Sequence, residues 1–205
     1  MPVAKNLREI MKRSSWVREM FEEGARLKAI HGEAQVHDFS IGNPILEPPK
    51  EVHQQIISML THSEPGLHRY MPNAGFNETR QYVSRQLNEE NGLAFETEDV
   101  VMCSGAGGGL NVVLKALLDP GDEVLVSAPY FVEYEIYAQN HGGTLKTVPS
   151  TDTFQPDLVA IGDALNPKTK IIIINTPNNP TGIVYTQSTL NELGKLIRKK
   201  EVVFR

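Results

Sequence analysis

The feature that most constrains this chain is the rhythm of its second half, where short apolar runs alternate with helix-like segments across tight joints. Residues 100–102, 123–127, 144–148 and 170–175 read as strands, the last nearly pure isoleucine, and 202–204 reads as the start of one more. Segments 107–118, 131–140, one beginning near Pro156, and 187–200 carry helical spacing. Parallel strands need a crossover that covers a face of the sheet, so strand–helix alternation with short joints specifies an α/β fold. The expectation is a mostly parallel sheet with helices on both faces, left incomplete because nothing follows the last strand. Ligands in such sheets sit where the carboxyl ends of strands meet loops.

The first half reads differently. Residues 15–31 form an amphipathic helix, with Trp16, Met20, Leu27 and Ile30 near helical spacing and Gly32 as its stop. A proline-rich run over 41–49 is extended loop, and helices are expected over 50–61 and 76–91, the second closed by Gly92.

Composition narrows the partners. Lys+Arg number 20 against 25 Asp+Glu, a net charge of -5, which lacks the basic surplus of a nucleic-acid binder. A lone cysteine, Cys103, cannot form an intramolecular disulfide and fits a reducing compartment. The amino terminus has no apolar core of a signal peptide, and the aliphatic run 171–174 is far too short to cross a bilayer. A cytoplasmic protein without nucleic-acid or membrane partners is expected.

Three joints carry candidate chemistry. Ser104-Gly105-Ala106-Gly107-Gly108-Gly109 stands between a strand and a helix, where backbone N–H groups and the helix dipole favour an anion such as phosphate. Taken alone, it serves equally as a close-packed strand–helix joint. It lacks the Gly-Lys-Ser/Thr of a Walker loop, and Leu110 or Val112 occupies the third position of a dinucleotide fingerprint. Pro129-Tyr130-Phe131-Val132-Glu133-Tyr134 offers rings for stacking on a flat heterocycle, although core filling explains them as simply. Asn175-Thr176-Pro177-Asn178-Asn179-Pro180-Thr181-Gly182 is the most distinctive stretch. Turn chemistry accounts for its prolines and glycine but not for so many side-chain amides.

In order along the chain stand Ile41-Gly42-Asn43-Pro44, Tyr70-Met71-Pro72-Asn73-Ala74-Gly75, the glycine loop, Pro120-Gly121-Asp122, Pro129-Tyr130-Phe131 and Asn179-Pro180-Thr181-Gly182. With these motifs the chain resembles the class I/II, fold type I, pyridoxal-phosphate-dependent aminotransferases over nearly its whole length. The resemblance implies that Gly105, Ala106 and Gly107 cradle the cofactor phosphate through backbone N–H groups. It implies that Phe131 stacks on the pyridine ring and Asn179 donates to the phenolic oxygen. Tyr70 would reach the phosphate of a neighbouring subunit, implying a homodimer, and Gly42 would face the substrate carboxylate. Residues 1–48 would be an arm with the substrate loop and 49–205 an incomplete cofactor domain. Cis peptides are expected before Pro129 and Pro180.

The same resemblance places the ring-nitrogen aspartate, the Schiff-base lysine and a carboxylate-binding arginine beyond Arg205, so no catalytic residue is assigned within the chain. Lys168, Lys170, Lys195, Lys199 and Lys200 read as surface charge rather than substitutes. The expectation is an amino-acid/2-oxo-acid aminotransferase portion that is inactive alone. Alternatives are a non-catalytic or vestigial binding chain of this ancestry, and a lyase or decarboxylase of the same superfamily. A nicotinamide-dependent enzyme is disfavoured by Leu110. The substrate side chain stays open among aspartate, alanine and aromatic amino acids.

Overall fold

The computed structural model describes residues 8, 15–39, 42, 46–62 and 65–204. They fall into two compact units, Met1–Arg69 and Tyr70–Arg205. In the first, α1 (Ser15–His31) ends where Gly32 donates its N–H to the Lys28 carbonyl at 2.9 Å. Lys28 and His31 lie in its last turn, where positive charge suits the helix dipole. Lys28 Nζ also pairs with Asp38 at 2.9 Å, drawing the segment after a 3₁₀ turn (Glu33–Gln35) back along α1. Helix α2 (Lys50–Thr61) follows Pro49, whose fixed φ suits the start of a helix. Ile41, Asn43 and Pro44 of the expected substrate loop lie outside the described residues, as does the Trp16 side chain.

The second unit contains α3 (Asn77–Asn91), a 3₁₀ turn (Thr97–Asp99), α4 (Gly105–Leu117), β1 (Glu123–Ala128), α5 (Glu133–Asn140), β2 (Thr144–Pro149), α6 (Leu158–Ala164), β3 (Thr169–Ile173) and α7 (Gln187–Phe204). The sheet runs β2-β1-β3 with both pairings parallel. Val124 of β1 stands opposite Leu145 on one side and Ile171 on the other.

Strand periodicity divides the core between the two faces. Val124 packs with Leu114 of α4 and Ala138 of α5, whereas Leu125 packs with Val148, Ile161 of α6 and Leu193 of α7. Leu114, Leu125 and Leu193 are fully buried, each contributing about 1.5–3 kcal/mol relative to an exposed side chain. Central β1 is therefore covered on both faces, as the unbroken apolar character of its run requires. Among the described residues no helix is long and apolar enough to cross a membrane.

Two expected strands are corrected. Residues 100–102 are not in a ladder: Val101 and Met102 are exposed, and Met102 donates its N–H to the Ala74 carbonyl at 2.9 Å. An apolar triplet becomes a strand only beside a free sheet edge. Here Arg80 instead holds the stretch to α3, through Nε to the Val100 carbonyl at 2.7 Å and Nη2 to the Thr97 carbonyl at 2.8 Å. Residues 202–204, read as a strand start, continue α7. No glycine or proline precedes them, and β-branched residues lower helix propensity only slightly.

Candidate functional site

The site is assembled where α4 begins and where β1 and β3 end. Ser104 is the N-cap of α4 but makes no side-chain cap bond, and the first turn carries no acid. Gly105 has φ +69, a conformation that glycine alone adopts without penalty, and a side chain there would meet open space. The first N–H groups of any α-helix lack intrahelical acceptors and carry the positive end of the dipole. This start has no side-chain cap and no acid in its first turn, with open space beside Gly105, whose own N–H donates to the Cys103 carbonyl at 3.0 Å.

At Gly107 the constraint comes from packing. A β-carbon there would lie 3.0 Å from Tyr137 Oη, so α5 approaches α4 closely at this residue. Tyr137 donates its hydroxyl proton to Glu133 one turn earlier on α5, turning that proton away from the α4 start. The bond to Glu133 also holds the Tyr137 phenol above its ordinary pKa, with burial adding to the shift. On the inner side, Asn111 Nδ2 donates to the Gly107 carbonyl at 2.8 Å and its Oδ1 faces His141 Nε2 at 3.0 Å.

Because β1 and β3 are parallel neighbours, their carboxyl ends share one sheet edge. After β1 the Ala128–Pro129 peptide is cis and half-buried Phe131 stands edge-to-face against Tyr134, centroids 5.5 Å apart. After β3 come cis Thr176–Pro177 and cis Asn179–Pro180. The cis bonds expected before Pro129 and Pro180 are present, and the one before Pro177 is an addition.

The adjacent asparagines of this turn differ sharply. Asn178 is buried and bonded to residues of its own turn, whereas Asn179 is exposed and its side chain makes no hydrogen bond among the described residues. Asn175, with its amide nitrogen toward the Pro177 carbonyl (3.2 Å), accepts from Asn179 N–H at 3.0 Å.

Tyr70 is fully exposed at the start of its unit. Gly42 belongs to the other unit, with nothing within 4 Å of a β-carbon. Lys168 and Lys170 lie at the amino-terminal end of β3, the opposite edge of the sheet from Phe131 and Asn179. Lys195 is exposed on α7 and pairs with Glu192 at 2.6 Å, and Lys199 is exposed one turn on; the Lys200 side chain is outside the described set.

Sequence reading missed Tyr137, Asn178 and Tyr185. Glu133 and Tyr137 at i,i+4 on one helix were a legible pair. Nothing in the residues alone distinguishes Asn178 from Asn179.

The fold and site define an α/β protein whose candidate ligand groups collect at the carboxyl edge of a parallel sheet. The family model for aminotransferase class I and II matches residues 34–204, and the chain belongs to that family. It is 36% identical over 157 residues to a probable aspartate/prephenate aminotransferase of Thermus aquaticus, covering 76% of this chain and 40% of the relative. An aspartate aminotransferase of Thermotoga maritima is 32% identical over 187 residues, covering 90% and 49%. An aminotransferase structure from Eubacterium rectale superposes with a TM-score of 0.93 at 36% identity, covering 100% of this chain and 52% of that one. The chain thus spans about half the length of the relatives it matches.

Proposed function

We propose that this chain supplies the cofactor-phosphate and ring contacts of an aminotransferase that moves an amino group between an amino acid and a 2-oxo acid. The family uses pyridoxal phosphate, which when bound serves as an electron sink for the substrate's α-carbon. The residues fit that group. The N–H groups of Gly105, Ala106 and Gly107 bind the phosphate at the uncapped start of α4, and Tyr137 keeps position 107 free of a side chain. Phe131 stacks on the ring. Asn179 donates from its amide to the phenolic oxygen, holding that oxygen as an anion. Gly42 faces the substrate carboxylate, and exposed Tyr70 reaches the phosphate site of a second subunit in a homodimer. Residues 1–48 act as arm and substrate loop, and 49–205 as the cofactor domain. A dicarboxylic amino acid is the proposed substrate, on the strength of the aspartate aminotransferases that the chain resembles.

We further propose that these 205 residues do not turn over by themselves. The lysines weighed as substitutes supply no amine at the site edge: Lys168 and Lys170 are at the wrong end of β3, and Lys195 and Lys199 face solvent.

The observation that carries the reading is the start of α4, uncapped, acid-free and led by a left-handed glycine. Amide NMR of the 205-residue chain titrated with pyridoxal phosphate and with pyridoxal tests it. The expected result is shifts at 105–107 with the phosphate form and binding at least about tenfold weaker without it. Equal binding of both, or shifts elsewhere, refutes the cradle. Robust amino transfer from aspartate to 2-oxoglutarate by this chain alone refutes the second proposal.

A further inference from the structure

The turn after β3 holds two neighbouring asparagines whose surroundings are opposite. Asn178 is 7% exposed, and both its backbone and its side chain are engaged within the turn. Its N–H donates to the Ile183 carbonyl at 2.9 Å, and its carbonyl accepts from Gly182 N–H at 2.6 Å. Its Oδ1 accepts from Thr181 N–H at 3.3 Å and Thr181 Oγ1 at 2.9 Å, while its Nδ2 donates to Tyr185 Oη at 3.3 Å. Tyr185 is equally buried, at 8%, and its own N–H donates to Thr176 Oγ1 at 2.8 Å. One side chain therefore ties the exit of the turn to its entry. Among the described residues the exposed Asn179 side chain has no such internal partner.

We infer that Asn178 and Tyr185 are positioning residues that aim the Asn179 amide at the cofactor's phenolic oxygen, an inference that rests on the cofactor reading above. A buried amide is stable only while its donors and acceptors are matched. Removing the Tyr185 hydroxyl leaves Asn178 Nδ2 without that acceptor and favours rotation of Asn178. The next residue on the chain is Asn179, so the rotation redirects the ligand-facing amide. Tyr134, which stands edge-to-face against Phe131, is buried as Tyr185 is. Burial holds both phenols above their ordinary pKa.

The test uses the 205-residue chain with pyridoxamine 5′-phosphate and its 3-deoxy analogue, titrated by amide NMR, with inorganic phosphate as a control. Wild type is expected to prefer the hydroxylated probe. Tyr185→Phe and Thr181→Val, each removing one hydroxyl from the network, are expected to reduce that preference about three- to tenfold, the range for one hydrogen bond. Affinity for inorganic phosphate is expected to stay unchanged, and the effect to vanish on an Asn179→Ala background. A merely structural role lowers affinity for both probes equally, and that result overturns the inference. So does an intact preference in both hydroxyl variants when Asn179→Ala abolishes it. If wild type binds neither probe and 105–107 do not shift, the cofactor reading itself fails and takes this inference with it.

Discussion

Replacing Gly107 with alanine separates the stability of α4 from the use made of its start. The new β-carbon would lie 3.0 Å from Tyr137 Oη and 3.7 Å from Tyr137 Cζ, so only the hydroxyl is in the way. Tyr137 relieves the contact by shifting a few tenths of an ångström, which loosens its bond to Glu133. A bond to a carboxylate is worth about 1.5–3 kcal/mol at most, and less for an exposed pair such as this, of which the shift loses only a part. Alanine offsets this with up to ~1 kcal/mol of helix propensity, so the net stability change should stay within about 1 kcal/mol. Binding should suffer more. The Cα–Cβ bond of a helical residue tilts toward the helix amino terminus, which aims the methyl at the N–H groups that receive the phosphate. A loss of about tenfold or more in pyridoxal phosphate affinity is expected, equivalent to ~1.4 kcal/mol or more. Urea unfolding reports the first quantity and a phosphorus-NMR titration the second. Adding Tyr137→Phe removes the clashing oxygen and leaves the ordinary 3.7 Å contact, so the double variant should regain stability while its affinity stays low, because the methyl remains. Wild-type affinity in Gly107→Ala, or full affinity restored by Tyr137→Phe, would refute the reasoning.

Three further outcomes are expected. Leu125→Ala removes a fully buried side chain that packs with Val148, Ile161 and Leu193, and should cost about 2–5 kcal/mol by urea unfolding. Asp157 caps α6, its Oδ1 accepting from Val159 and Ala160 N–H at 3.0 Å each; Asp157→Ala should cost ~0.5–2 kcal/mol, read as a lowered Tm. Burial raises the Tyr134 and Tyr185 phenols above their unfolded value of about 10. Above that pH the unfolded chain loses those protons first, so stability is full below pH ~10 and falls as pH rises through the folded values. Urea midpoints from pH 8 to 11 should show this decline, and Tyr134→Phe with Tyr185→Phe should flatten it.

Much of the fold was legible because it rests on local patterns. The stop of α3 at Gly92, the strands of β1, β2 and β3, and the helices between them follow from apolar spacing and turn residues. Misreadings fell where tertiary contacts decide. Residues 100–102 have the composition of a strand, but Arg80 and Ala74 hold them away from any ladder. Val202 and Val203 are β-branched and Phe204 is aromatic, yet no breaker separates them from the rest of α7.

The candidate site divides in the same way. The glycine run, the aromatic pair and the asparagine turn are each visible as residues, because glycine, proline and amide chemistry is local to a few positions. Their common edge is not, since it arises only when β1 and β3 pair in parallel. An α/β chain with three ligand-suited joints and family motifs in order can be read from the residues. That Tyr137 confines Gly107, and that Asn178 is buried while Asn179 faces out, emerges on folding. The physical reason is that burial and close approach belong to pairs of residues far apart in the chain, and a side chain's surroundings exist only once those pairs have met.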